Sequence, residues 1–179
     1  MSQNFKPFFI NSNIYLEDKP FKNLSEFSNA VCHNTGNSYI TYSLIKELYG
    51  QLVKVDHIPN IYTYDFSNAD KDIDFINTEC SHVFLILQDQ IRITESYGLQ
   101  LPYEKIINFI KRLNKPVIIA GLGSNFFEPY QSNFYIRLTP NLVNFLHELS
   151  EHAEIIGIRG IYTANIMHKL GINNFQVIG

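Results

Sequence analysis

Residues 139–178 read TPNLVNFLHELSEHAEIIGIRGIYTANIMHKLGINNFQVI, and this stretch decides the fold class. Thr139-Pro140 opens a helix, with a capping hydroxyl followed by proline at the first helical position. Leu142, Val143, Leu146 and Leu149 give that helix one apolar stripe. Glu154–Ile158 then reads as a strand, Ile161–Leu170 as a helix stopped by Gly171, and Phe175–Ile178 as a further strand. Strands apolar on both faces, set between amphipathic helices, are what a parallel sheet under helices requires.

The pattern extends upstream. Val117–Ala120 and His82–Leu87 are continuous apolar strands, and Tyr103–Leu113 is a helix with Ile106, Ile110 and Leu113 on one face. Lys111 and Arg112 in its last turn complement the helix dipole. Asp70–Glu79 reads as a short acidic helix, its charges a solvated face. Ile40, Leu44, Ile45 and Leu48 mark a helix from Ser38 that Gly50 ends. Phe27–Cys32 and Leu52–Val55 are expected strands, and Ile58–Tyr64 is β-prone but broken by Pro59 and Asn60. Residues 1–24, with Phe, Pro and Asn in no period, are expected to form an irregular N-terminal arm. The expectation is an α/β, doubly wound, Rossmann-like domain over residues 25–179, with five or six mostly parallel strands and helices on both faces. A strand that ends at Gly179 has no following helix to cover it, so the domain is expected to be truncated there.

Composition narrows the function classes. A chain of 179 residues, 45% of them hydrophobic, is enough for one globular domain and too short for two. A net charge of −3 gives no general attraction to nucleic acid or an anionic surface. No apolar run approaches the roughly 20 residues of a membrane helix, and the start MSQNFKPFF lacks a signal-peptide pattern. The expected location is cytoplasmic. Cys32 and Cys80 match no disulfide framework or metal motif and read as small buried hydrophobes.

In open α/β sheets ligands bind at the carboxyl ends of the strands, where helix N-termini offer free N–H groups. Three loops fall at such places. His33-Asn34-Thr35-Gly36-Asn37 reads as a tight polar loop lacking the P-loop and dinucleotide patterns. Gly121-Leu122-Gly123-Ser124-Asn125 puts two glycines directly after a buried strand, which allows a ligand or another backbone to approach closely. Arg159 is a cation at the mouth of a strand-to-helix turn, suited to an anion. Of the histidines, His33 alone stands where an acid or base could work; His57, His82, His147, His152 and His168 read as loop, strand-edge or helix-surface residues. No pair of histidines or carboxylates is read as having metal-ligand spacing, so no metal site is expected, and the strained Gly-x-Ser-x-Gly turn of a hydrolase is absent.

Asn34-Thr35-Gly36-Asn37 before an apolar helix resembles the amino-terminal loop of polysaccharide pyruvyl transferases. Val117-Ile118-Ile119-Ala120-Gly121-Leu122-Gly123-Ser124 resembles their mid-domain strand and turn. The run from Ile156 through Arg159 to Ala164, with Leu170-Gly171 and Val177-Ile178-Gly179, is similar in the same order. The likeness covers about residues 31–179 and corresponds to the first of the family's two Rossmann-like halves. It departs where Gly160 follows Arg159 in place of a frequent acidic residue, and where Asn37 replaces a frequent Asp.

The resemblance implies a transferase that moves a pyruvyl group from phosphoenolpyruvate to a sugar of a surface polysaccharide as a ketal. Phosphoenolpyruvate is then the donor substrate and no cofactor is implied. The partners are a glycan or lipid-linked sugar acceptor and a missing C-terminal half, with self-association as a further option. By motif, Asn34, Thr35, Gly36, Asn37, Gly121, Gly123, Ser124 and Arg159 line the cleft. The acid and base are not identified, His33 being the weak candidate. Two alternatives stand beside this reading: half of a nucleotide-sugar glycosyltransferase, and a non-catalytic binding or assembly module in glycan biosynthesis.

Overall fold

Ile10, Leu85, Ile119 and Ile156 lie side by side in register on four neighbouring strands, each fully buried. Burial of each contributes roughly 1.5–3 kcal/mol. The structure, a computed structural model, describes residues 5–11, 21–30, 35–50, 60–61, 66, 69–92, 102–125 and 137–179. In chain order the elements are β1 (Pro7–Ile10), α1 (Leu24–Ala30), α2 (Thr35–Tyr49), β2 (Asn60–Ile61), α3 (Asp70–Glu79), β3 (His82–Ile86) and β4 (Ile91–Arg92). There follow α4 (Tyr103–Lys111), β5 (Val117–Leu122), β6 (Ser124–Asn125), α5 (Pro140–His152), β7 (Ile155–Ile158), α6 (Gly160–Lys169) and β8 (Phe175–Val177).

Six strands form a sheet in the order β2-β1-β3-β5-β7-β8, every described pairing parallel. The chain begins inside the sheet, steps outward to β2, returns past β1 to β3, and then proceeds in one direction to β8. Reversing direction with right-handed crossovers puts helices on opposite faces. One face carries Phe8, Ile10, Val83, Leu85, Val117, Ile119, Ile156 and Ile158 beneath buried residues of α3, α4, α5 and α6. On the other face, Phe9 and Phe84 stack with ring centroids 5.2 Å apart, and Ile45, Leu44 and Leu48 of α2 pack on them. The chain is thus an α/β domain of doubly wound, Rossmann-like type.

Downstream of residue 70 the helices and the strands β3, β5, β7 and β8 form where expected. However, β5 runs on through Gly121 and Leu122, and Ser124–Asn125 form β6. The stretch read as a loop at 121–125 is thus mostly strand, extended by its pairing with β7 and β4. The Thr139 side chain accepts a hydrogen bond from the Leu142 N–H, with Pro140 at the first helical position. Asn174 donates to the carbonyls of Ser150 and Ala153, which ties the end of α5 to the turn before β8.

Three expectations upstream are corrected. The irregular arm assigned to residues 1–24 contains β1, whose four residues are all buried in the middle of the sheet. A strand covered on both faces shows no alternation, and Pro7, at its first position, loses no ladder bond in mid-strand. Phe27–Cys32 was expected as a strand, yet Phe27 to Ala30 lie in α1. Asn23 explains this: its Oδ1 accepts from the Glu26 N–H at 2.9 Å, while Glu26 reaches back to the Lys22 N–H at 2.6 Å. That is a helix-opening pattern of a capping residue with Glu three positions on. Finally, Thr35, Gly36 and Asn37 form the first turn of α2 rather than a loop. The strand expected at Leu52–Val55 lies outside the described residues; the strand beside β1 is Asn60–Ile61, in the stretch read as broken.

Candidate functional site

The strand order changes direction between β1 and β3, so the carboxyl ends of these two strands bound the crevice where such sheets bind ligands. Asn11 directly follows β1 with φ of 56°, and Gln88 follows β3 with φ of 30°. Among the described residues they are the only non-glycine residues with positive φ, a conformation that side chains other than Asn and Asp adopt at a cost. The Gln88 carbonyl accepts the Gly123 N–H at 2.6 Å, and the Gly123 carbonyl accepts the Ile91 N–H at 3.0 Å. The turns after β3 and β5 are stitched together there, and the short parallel pair β4–β6 continues the seam.

The two glycines after β5 have different roles. Gly121, at φ of 70°, sits where the β5–β7 register shifts, and a Cβ on it would stand 2.9 Å from Ile40 Cγ2. Its bareness lets α2 approach the sheet, which is a packing role. This contact also brings the N-terminal half of α2, with Thr35, Gly36 and Asn37, toward the carboxyl edge. Gly123 faces Arg159 instead. A Cβ there would lie 2.5 Å from Nε, 2.6 Å from Nη2 and 2.9 Å from Cζ.

Arg159 occupies the capping position of α6 without a side-chain cap, and its N–H donates to the Leu122 carbonyl at 2.8 Å. Its Nε is buried, and among the described residues the guanidinium has no hydrogen-bond or ion-pair partner. A buried donor left unmade costs about 1–3 kcal/mol, so Nε is a donor available to an acceptor at this edge. The free N–H groups of the first α6 turn point to the same edge and favour an anion. Beside it, the hydroxyls of Ser124 and fully buried Thr163 hydrogen-bond at 3.2 Å, which locks β6 to α6.

The structure therefore brings Gly123, Ser124 and Arg159 together, places Gly121 one step behind them, and sets Thr35, Gly36 and Asn37 at the start of α2. His33 and Asn34 lie outside the described residues. Asn11, Gln88 and Thr163 join the edge without having been singled out by sequence; only the positive-φ habit of Asn after an apolar run pointed to any of them. The expectation of no metal-ligand spacing is corrected at the end of α5. There Glu148, Glu151 and His152, the last read only as a helix-surface residue, bring ligand atoms within 4.8 Å of one another, because positions three and four apart share one helix face. Lys111 Nζ already stands 2.7 Å from Glu148 Oε2, and His152 Nε2 3.4 Å, which makes the cluster an ion-pair network. Among the described residues, no helix is long and apolar enough to cross a membrane.

Comparison with protein-family models, with curated proteins and with solved structures yields no match for this chain.

Proposed function

We propose that the carboxyl edge of the sheet binds a small phosphate- or carboxylate-bearing molecule through Arg159, and that the chain acts as the amino-terminal half of a polysaccharide pyruvyl transferase. The observation that carries the reading is the partnerless guanidinium of Arg159 laid across bare Gly123 beside the start of α6. Phosphoenolpyruvate has both anionic groups and is the ligand that the motif likeness names. In the reaction, two sugar hydroxyls add to the enol carbon, the methylene carbon gains a proton, and phosphate leaves. The hydroxyl needs a base and the methylene an acid; Arg159 supplies charge and position, not proton transfer. The facing half and the sugar acceptor belong to the same proposal.

The test is a melting-temperature and calorimetric titration of this chain with phosphoenolpyruvate, against uridine and guanosine diphosphate sugars. Phosphoenolpyruvate is expected to stabilise the chain, and Arg159→Ala to weaken binding about 10- to 100-fold, the worth of a charged hydrogen bond. Stabilisation by a nucleotide sugar alone would replace this reading with the glycosyltransferase one. Stabilisation by none of them would leave the binding-module reading in its place.

A further inference from the structure

Thr41 and Thr163 are the two fully buried polar side chains among the described residues. A threonine inside a helix usually donates its hydroxyl to a carbonyl three or four positions back. Thr163 makes no such bond to Gly160 or Arg159. Among the described residues its one side-chain partner is Ser124 Oγ, across the junction of β6 and α6 at 3.2 Å. That contact fixes which way the protons run. A hydroxyl has one donor and two acceptor sites. The Thr163 proton is buried, and left unmade it would cost stability, so it goes to Ser124 Oγ. In the opposite sense, with Ser124 as donor, the Thr163 proton would be enclosed without an acceptor.

Ser124 therefore accepts from Thr163 and keeps its own proton, which is spent on no other described residue. Its side chain is only half-buried, so that proton can meet a group from outside. Arg159 stands one helical turn before Thr163, and its guanidinium lies on Gly123, the residue before Ser124. The serine and arginine donors are thus neighbours on both elements. A group that only accepts, such as an ionised phosphate or carboxylate, matches them better than one that must donate. We infer that Ser124 donates a hydrogen bond to the anion held by Arg159, and that buried Thr163 is the positioning residue that orients it. The inference rests on the anion-binding reading of the carboxyl edge, to which it adds the direction of the serine hydroxyl and a residue that touches no ligand.

The test is calorimetric titration of the chain and its variants with phosphoenolpyruvate and with inorganic phosphate. Ser124→Ala is expected to weaken binding about tenfold or more, as loss of a hydrogen bond to a charged group does. Thr163→Val, of the same shape, should weaken it roughly two- to tenfold, the cost of ordering a freed side chain on binding. Thr163→Ser should restore most of that loss. The double variant should bind no more weakly than Ser124→Ala alone, because Thr163 acts only through Ser124; a merely structural threonine would add its own loss. In NMR spectra of the unmutated chain, which need no variant to fold, the Thr163 hydroxyl proton should exchange with water more slowly than that of Ser124. Failure of the unmutated chain to bind either anion, or of Arg159→Ala to weaken binding, would overturn the reading of the edge and this inference with it. Binding that Arg159→Ala weakens and Ser124→Ala or Thr163→Val leaves unchanged would overturn the inference alone. So would additive losses in the double variant, or a Thr163 hydroxyl that exchanges as fast as that of Ser124.

Discussion

Arg159 lies flat against Gly123, residues 36 positions apart in sequence, so closely that an added Cβ would stand 2.5 Å from the guanidinium Nε. Close-packed strand ends make this possible. The Arg159 N–H is fixed to the Leu122 carbonyl, and Gly123 is fixed by the Gln88 and Ile91 hydrogen bonds. The backbone on both sides of the contact is therefore held, and the side chain has one bare slot to enter. A long flexible cation loses freedom there, and preorganisation lowers what ligand binding must then supply.

Gly123→Ala should separate position from charge. Gly123 has no positive φ, so alanine is tolerated by the backbone, and the clash falls on the far end of a flexible side chain. The melting temperature should hence move by only a few degrees. Phosphoenolpyruvate binding should fall nearly as far as in Arg159→Ala although the charge remains. Calorimetry reads this; unchanged affinity would show that Arg159 binds without its slot.

Thr139→Ala should lower stability by about 1 kcal/mol, the usual worth of a helix cap, or about 2–4 °C for a domain of this size. Thr139→Ser, which retains the oxygen that accepts from Leu142, should restore most of the loss. Denaturant melts of the three proteins measure it. No loss in Thr139→Ala would mean that Pro140 alone starts α5.

Glu148 should make stability depend on acidity. The Lys111 side-chain hydrogen bond, aided by the Lys111 and His152 charges and opposed by desolvation, holds its carboxyl below the ordinary value of 4.5. A carboxyl lowered in the folded state stabilises fully above the unfolded value and loses that contribution as pH falls through the folded one. Wild type should therefore exceed Glu148→Gln in stability at neutral pH, with the gap closing below about pH 4.5. Salt should shrink the gap, since the pair is near the surface. A gap that stayed constant into acid would remove the ion pair as its cause.

Much of this molecule was legible from short windows. The acidic helix at 70–79, the apolar strands β3, β5 and β7, and the Thr139-Pro140 start of α5 all follow from periodicity and capping within about ten residues. That Gly123, Ser124 and Arg159 fall at the carboxyl edge was legible too, because glycines and a cation directly after buried strands lie at that edge of any parallel sheet. The same reading failed where the signal was brief or overlooked. Asn23 and Glu26 already spelled a helix start, while Pro7-Phe8-Phe9-Ile10 is too short to show any period.

By itself, then, the sequence determined the alternation of helix and strand, hence a parallel sheet with helices on both faces. Only the tertiary structure decided that β1 lies inside the sheet, with the direction change beside it. It alone decided that Gly121 serves α2 and Gly123 serves Arg159. The reason is physical. Helical period and caps act within a few turns, whereas strand order and side-chain contact are settled by burial between segments tens of residues apart, which no local pattern encodes.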